Sequence, residues 1–490
     1  MKKSKITCDV SGPLGRPLPD SPHAVSVSMP AWEDVIGYEE DEPNVLNALN
    51  SGYPRFFYHP KVAELFAHCK IAFCNAEQEA IALPSEKSAI ECQKFLKKEK
   101  INSTIHPYGK ENIYVICFPA SAQKKVKEFW QHTGLIITSR LAEDLLLEQP
   151  SNNKAEEEKT QIKTRIGHLC GETINNVYLF PSGMAAIFSA YKLLCSLSPG
   201  NKTIQLGFPY VDTLKIQEKF GSGVHFISGC DIYDIEKIEE ILKKEKISAL
   251  FCEFPSNPLL ISVDLQKLSK ILREYNVPLV IDDTIATSLN IDVTDYADII
   301  VTSLTKFFSG SGDVIAGSLV LNSASPFYDD MNFSINNLYE DLFYSADAIT
   351  LEKNSRDFTK RLEQINHTAE ELCDWLKKCP EVKEIYYPKY ITKELYKKYL
   401  RDGGGYGGLF SIKLKDSSKA PEFYNMLDIS KGPNLGTNFT IACPYTLLAH
   451  YHELDFAKKC EVDADLIRIS VGLENIKSLI KIFEKALSVL

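Results

Sequence analysis

The sequence predicts an α/β protein built on a mostly parallel sheet with helices on both faces. Beyond Arg165, short uninterrupted apolar runs alternate with segments of helical apolar spacing, and strands buried on both faces read as such runs. The chain has 490 residues, 44% hydrophobic and 24% charged. That is near the globular average, so a large core and roughly two to four domains are expected.

The elements follow in order. Residues 1–60 carry prolines at 13, 17, 19, 22, 30, 43, 54 and 60, which predicts an extended arm with at most a short helix over 45–49. Over 61–150 a small α+β module is expected, with strands at 70–74 and 113–118. Its helices are expected at 85–98 and 121–132, each with a serine available as cap. The polar stretch 148–163 reads as a linker or a solvated helix. A large domain over 165–325 alternates strands at 177–180, 203–206, 224–227, 249–254, 278–282, 298–302 and 318–322 with helices at 184–197, 213–220 and 235–244. A smaller C-terminal α/β domain over 330–490 opens with one long helix at 349–376.

Composition narrows the function classes. Fifty-five Lys and Arg against 65 Asp and Glu give a net charge of -10, which argues against a nucleic-acid partner. No apolar run approaches the ~20 residues of a membrane span. The basic start, Met1-Lys2-Lys3-Ser4-Lys5, lacks a following apolar segment, so no secretory signal is expected. Thirteen scattered cysteines without a Cys-x-x-Cys pair predict neither a disulfide framework nor a metal site. They fit a reducing compartment, the cytoplasm or nucleus.

Ligands of such sheets bind at the carboxyl ends of the strands, and four strand ends here carry unusual residues. Phe180-Pro181-Ser182-Gly183-Met184 runs into a helix whose backbone N–H groups suit a phosphate, although an ordinary helix cap reads the same way. Glu253-Phe254-Pro255-Ser256-Asn257-Pro258 halts a strand abruptly, as any turn does. Val280-Ile281-Asp282-Asp283-Thr284 ends a buried strand in two carboxylates, one of which could serve as a cap. Thr302-Ser303-Leu304-Thr305-Lys306-Phe307-Phe308 sets a lysine in an apolar context. Most lysines are solvated, but desolvation here would lower the pKa and make a nucleophilic amine.

Ser-Gly-Met-Ala-Ala, Pro-Ser-Asn-Pro, Asp-x-Thr and Ser-x-Thr-Lys occur in that order, with 24 residues from Asp282 to Lys306. With Asp313-Val314-Ile315-Ala316-Gly317 and Leu466-Ile467-Arg468-Ile469-Ser470, the set resembles the Cys/Met-metabolism family of pyridoxal-phosphate (PLP) enzymes. Gly52-Tyr53-Pro54-Arg55-Phe56 and Ala442-Cys443-Pro444-Tyr445-Thr446 are similar to its fungal cystathionine γ-synthase branch. The resemblance implies the aspartate-aminotransferase-like fold (fold type I), with a seven-stranded sheet. It also implies amino-acid substrates and a homodimer or homotetramer.

By the same resemblance Lys306 holds PLP and shuttles protons, Asp282 pairs with the pyridine nitrogen, and Tyr210 stacks on the ring and acts in acid–base steps. Ser182, Gly183, Met184, Ser303 and Thr305 bind the phosphate. Asn257 bonds the ring hydroxyl oxygen, and Thr284 belongs to the same cofactor set. Arg468 holds the substrate carboxylate, for which its planar fork is suited.

Two departures stand out. The family's Tyr-x-Arg, which binds phosphate across a subunit interface, has its best match in Tyr53-Pro54-Arg55, 129 residues before Ser182. Either the 61–150 module is inserted between arm and cofactor domain, or these residues are structural. In the first case the arm is expected to cross to a partner chain. Asn434 stands where the family commonly has a serine beside the substrate carboxylate. The implied reaction is γ-replacement, an O-acylhomoserine and cysteine giving cystathionine. A cystathionine lyase, a sulfhydrylase and a catalytically degenerate paralogue remain as alternatives.

Overall fold

Successive residues of a strand face opposite sides of a sheet, and the apolar runs of this chain fill both. Val280, Ile299, Val301, Leu319 and Leu321 join one core layer with Ala186, Ile216 and Met331. Leu279, Ile281, Ile300 and Val320 join the other, with Ile162, Ile238, Leu268 and Leu362. Each such side chain contributes roughly 1.5–3 kcal/mol on burial. The two layers fix the register of every strand, because a shift by one residue would exchange the faces.

A computed structural model describes residues 12–109, 112–149, 154–488 and 490. Its central sheet has seven strands, in the order Val177–Phe180, Gly317–Leu321, Ile299–Ser303, Leu279–Asp282, Ile247–Glu253, Lys202–Leu206, Val224–Ile227. All neighbours are parallel except Gly317–Leu321, which runs antiparallel to both of its partners. The mostly parallel seven-stranded sheet expected from the sequence is therefore present.

Besides a two-stranded ladder of Pro17–Leu18 and Ser26–Val27 in the arm, two smaller sheets flank the central one. Gln78–Leu83, Ile113–Pro119 and Thr104–Tyr108 form an antiparallel sheet packed with the helices Pro60–Phe73, Glu86–Lys98 and Gln123–Thr133 around Leu65, Leu96, Val115 and Phe129. A five-stranded sheet, ordered Val382–Tyr386, Leu409–Leu414, Ile467–Ser470, Ile441–Pro444, Ser430–Lys431, carries the helices Phe358–Leu376 and Ile476–Leu487. No helix among the described residues is long and apolar enough to cross a membrane.

Several expectations change. Residues 70–73 are the end of the helix Pro60–Phe73 rather than a strand. Pro60 suits a first turn, and Val62, Leu65, Phe66 and Cys69 continue the helical spacing inward. The strand lies further on, at Gln78–Leu83. The long helix at 349–376 is two, Ser345–Ser355 and Phe358–Leu376. The break lets buried Arg361 donate to the carbonyls of Phe307 (3.1 Å), Phe308 (2.9 Å) and Asn354 (3.0 Å).

The polar stretch 148–163 contains the start of a helix, Glu156–Cys170. Residues 150–153, and the basic start on which the signal-peptide expectation rests, lie outside the described residues. The arm holds the expected short helix and a second one before it. It forms the helices Trp32–Glu39 and Pro43–Ala48 and buries Met29, Trp32 and Val35 against the core of the five-stranded sheet.

Candidate active site

Phe180, Leu206, Glu253, Asp282 and Ser303 end their strands on one side of the sheet. A cavity of ≈ 1020 Å³ opens there, roofed by the arm and by the loop that carries Asn434. Lys306 reaches into it from the turn after Ile299–Ser303. Its amine donates to Asn434 Oδ1 at 2.7 Å and lies 4.4 Å above the Tyr53 ring. Burial holds it below the ordinary lysine range, with Tyr53 opposing and Arg468 adding to the shift.

Asp282 lines the cavity and accepts from Thr284 N–H at 2.9 Å. Burial pushes its carboxyl above the ordinary range, against the Thr284 hydrogen bonds. Asp283 takes the opposite face. It is buried among Ser288 Oγ and Thr302 Oγ1, both donating at 2.5 Å. Thr284 also accepts from Ser303 N–H at 2.8 Å, which ties two strand ends together beside the cavity.

Gly183 and Met184, at the start of the helix Gly183–Leu197, line the cavity beside Ser303. The Ser182 and Thr305 hydroxyls do not. Ser182 Oγ caps the helix by accepting from Ala185 N–H (3.0 Å) and donates to Gly134 O (2.8 Å). Thr305 Oγ1 bonds the Ala316 backbone at 3.0 and 3.3 Å.

On the substrate side, Arg468 donates to Asn257 Oδ1 at 3.2 Å and to Asn434 O at 3.1 Å, and its guanidinium lies 4.8 Å from the Tyr445 ring centroid. Among the described residues the buried Asn434 Nδ2 has no hydrogen-bond partner.

Tyr53 and Arg55 both reach the cavity of their own chain. Arg55 is 2% exposed. It donates to Asp212 Oδ2 at 2.7 Å, to Gln131 O at 2.8 Å and to the Tyr210 hydroxyl. Burial would raise the Tyr53 phenol, but Lys306 and Arg55 bring it below the usual tyrosine value.

Sequence reasoning missed three residues that organise this set. Glu253, buried and raised in pKa by burial and by Asp282, accepts from Tyr210 N–H (2.5 Å) and Asn257 N–H (2.9 Å). Asp212 holds Arg55, and His132 holds Asp212. Glu253 and Asp212 stand inside the very motifs that carry Asn257 and Tyr210. His132 has no signal in the sequence.

The profile of Cys/Met metabolism PLP-dependent enzymes matches residues 156–488, and that of the fungal trans-sulfuration enzyme N-terminal domain matches residues 61–138. The chain is 35% identical to the cystathionine gamma-synthase-like enzyme iboG2 of Amanita muscaria, over 98% of this chain and 97% of that protein. It is 33% identical to the cystathionine gamma-synthase of Neurospora crassa, over 97% and 98% respectively. The crystal structure of cystathionine gamma synthase from Xanthomonas oryzae shares the fold, with a TM-score of 0.59 at 20% identity over 67% of this chain and 85% of that one. The chain belongs to the Cys/Met metabolism family of PLP-dependent enzymes.

Proposed function

We propose that this protein is a cystathionine γ-synthase: the acyl group leaves Cγ of an O-acylhomoserine as a carboxylate, and the cysteine sulfur takes its place. The observation that carries the reading is the convergence of Lys306, Asp282, Arg468 and a helix start on one cavity.

The cavity fits PLP. A Cβ on Gly183 would lie 2.7 Å from Ser303 Cβ, so the turn is bare backbone and its N–H groups suit the phosphate. A buried carboxylate at Asp282 suits a protonated pyridine nitrogen. Bound PLP supplies an electron sink for charge developing at the substrate Cα.

The chain's own groups do the rest. Lys306 holds the cofactor and, with its lowered pKa, takes a proton from Cα and returns one along the chain. Arg468 and the unpartnered Asn434 Nδ2 hold the α-carboxylate. Gly183, Met184, Ser303, Tyr53 and Arg55 hold the phosphate. Tyr210, Asn257 and Thr284 surround the ring.

Purified holoenzyme given O-acetyl- or O-succinylhomoserine with cysteine should form cystathionine and the free acid. Breakdown of cystathionine supplied alone would make it a lyase, and preference for sulfide over cysteine a sulfhydrylase. No turnover by a PLP-loaded protein would make it a degenerate paralogue.

A further inference from the structure

One helix end of the N-terminal three-stranded module meets Arg55, Asp212 and the turn at Ser182 beside the cavity. The helix Gln123–Thr133 stops at Gly134, which has φ 64°. The last carbonyls of a helix lack partners within it and carry the negative end of its dipole. Gln131 O takes the Arg55 guanidinium at 2.8 Å, and Gly134 O takes the Ser182 hydroxyl at 2.8 Å. A Cβ on Gly134 would lie 2.2 Å from Ser182 Oγ and 2.8 Å from Ala185 N, so the approach requires glycine.

The side chains of the same turn hold a buried charge. Asp212, fully buried, accepts from His132 Nδ1 at 2.7 Å, Gln131 Nε2 at 3.2 Å and Arg55 Nη1 at 2.7 Å. Burial would raise its carboxyl, but Arg55 and then His132 hold it at about 2. Lys219 Nζ lies 3.4 Å from His132 Nε2 and 2.9 Å from Glu128 Oε2. An ammonium donor at Nε2 leaves the imidazole proton on Nδ1, pointed at Asp212. A carboxylate buried this deeply is stable only while all its partners stay in place, and one of those partners is the arginine that lines the cavity.

We propose that the N-terminal module is a positioning element for the cofactor's phosphate clamp, with His132 acting through Asp212 to fix Arg55 and Tyr210. This rests on the reading of Arg55 as a phosphate ligand. His132 does not line the cavity, so it is a positioning residue. The module thereby contributes to cofactor affinity although its own core, around Leu65, Leu96 and Phe129, lies apart from the cavity.

A double-mutant cycle on the full chain tests it, read as the PLP dissociation constant of reconstituted apoenzyme, with apoenzyme thermal unfolding followed in parallel. Arg55→Ala should weaken PLP by about tenfold or more and His132→Leu by roughly tenfold, since each removes a charge-assisted contact. The double variant should bind no more weakly than Arg55→Ala alone. His132→Asn, which restores a donor toward Asp212, should recover most of the affinity. Additive losses, or wild-type affinity in His132→Leu, would overturn the proposal while leaving Arg55 as a ligand. Wild-type affinity in Arg55→Ala would overturn both readings. Should His132→Leu fail to fold, Asp212→Asn enters the same cycle with the same two outcomes.

Discussion

Lys306 Nζ donates to Asn434 Oδ1 across 2.7 Å, joining the end of a central strand to the loop that enters the five-stranded sheet. The same Asn434 accepts from Arg468 through its backbone oxygen. The amine and the guanidinium of the cavity are therefore set by one residue between them. Burial and the neighbouring Arg468 and Arg55 charges hold the amine below the lysine range, against Tyr53, the direction that favours a nucleophilic amine.

Borohydride reduction of the holoenzyme should fix the pyridoxyl group on Lys306, read by mass spectrometry of the digest. Lys306→Ala should carry no label and show no turnover. A label on any other lysine would remove the assignment.

Asp282 and Asp283 should separate cleanly. Asp282→Asn should lower kcat by at least about a hundredfold, as expected when a preorganised charge is removed from an active site. Asp283→Asn leaves an amide facing the Ser288 and Thr302 hydroxyls. It should instead cost roughly 1–3 kcal/mol of stability with kcat within a few-fold of wild type. Paired kinetics and denaturant melts decide, and the reverse pattern would overturn the assignment of faces.

The motif residues were legible because strand–turn–helix chemistry keeps them adjacent in sequence: Gly183 with Met184, Asp282 with Thr284, Ser303 with Lys306. Tyr53 and Arg55 were visible as a motif but not as members of this chain's own cavity, since 129 residues separate Tyr53 from Ser182. His132 was invisible because its role exists only once the helix Gln123–Thr133 docks beside Val211–Lys219. The fold errors have a local cause. A strand placed at Lys70 cuts a helix whose spacing begins at Val62, and nothing in the apolar pattern of 349–376 marks the break at residues 356–357.

Titration of the apoenzyme should expose the buried carboxylates. Burial raises the pKa of Asp282 and Glu253, so the folded state binds their protons more tightly than the unfolded chain. Their contribution to stability is full below the ordinary carboxylate pKa, about 4, and is lost as pH rises through the folded values. Asp282→Asn removes its share of that loss. The apoenzyme variant should match wild type in unfolding free energy near pH 4 and exceed it near pH 8, by roughly 1–3 kcal/mol. Parallel profiles would show that Asp282 is an ordinary carboxyl.

Mixed oligomers test whether the phosphate clamp works within one chain. The arm is tied down on both sides of Tyr53 and Arg55. Before them, Val25 N–H bonds Gly312 O at 2.9 Å and Met29 N–H bonds Lys431 O at 3.0 Å. After them, the Tyr58 ring meets the Trp130 ring at 4.6 Å, and the chain enters the helix Pro60–Phe73. Arg55 itself closes on Asp212 and Gln131 of the same chain. A crossing arm would have to give up all of these contacts, several of them buried. Chains carrying Arg55→Ala and chains carrying Lys306→Ala, co-expressed with two tags and purified through both, should therefore show no more than about half the activity of the Arg55→Ala parent. Each cavity in such a pair lacks one of the two residues. If the arm crossed, one cavity per pair would hold both, and activity approaching one working site per pair would appear. That result would move Tyr53 and Arg55 to the neighbouring chain's cavity.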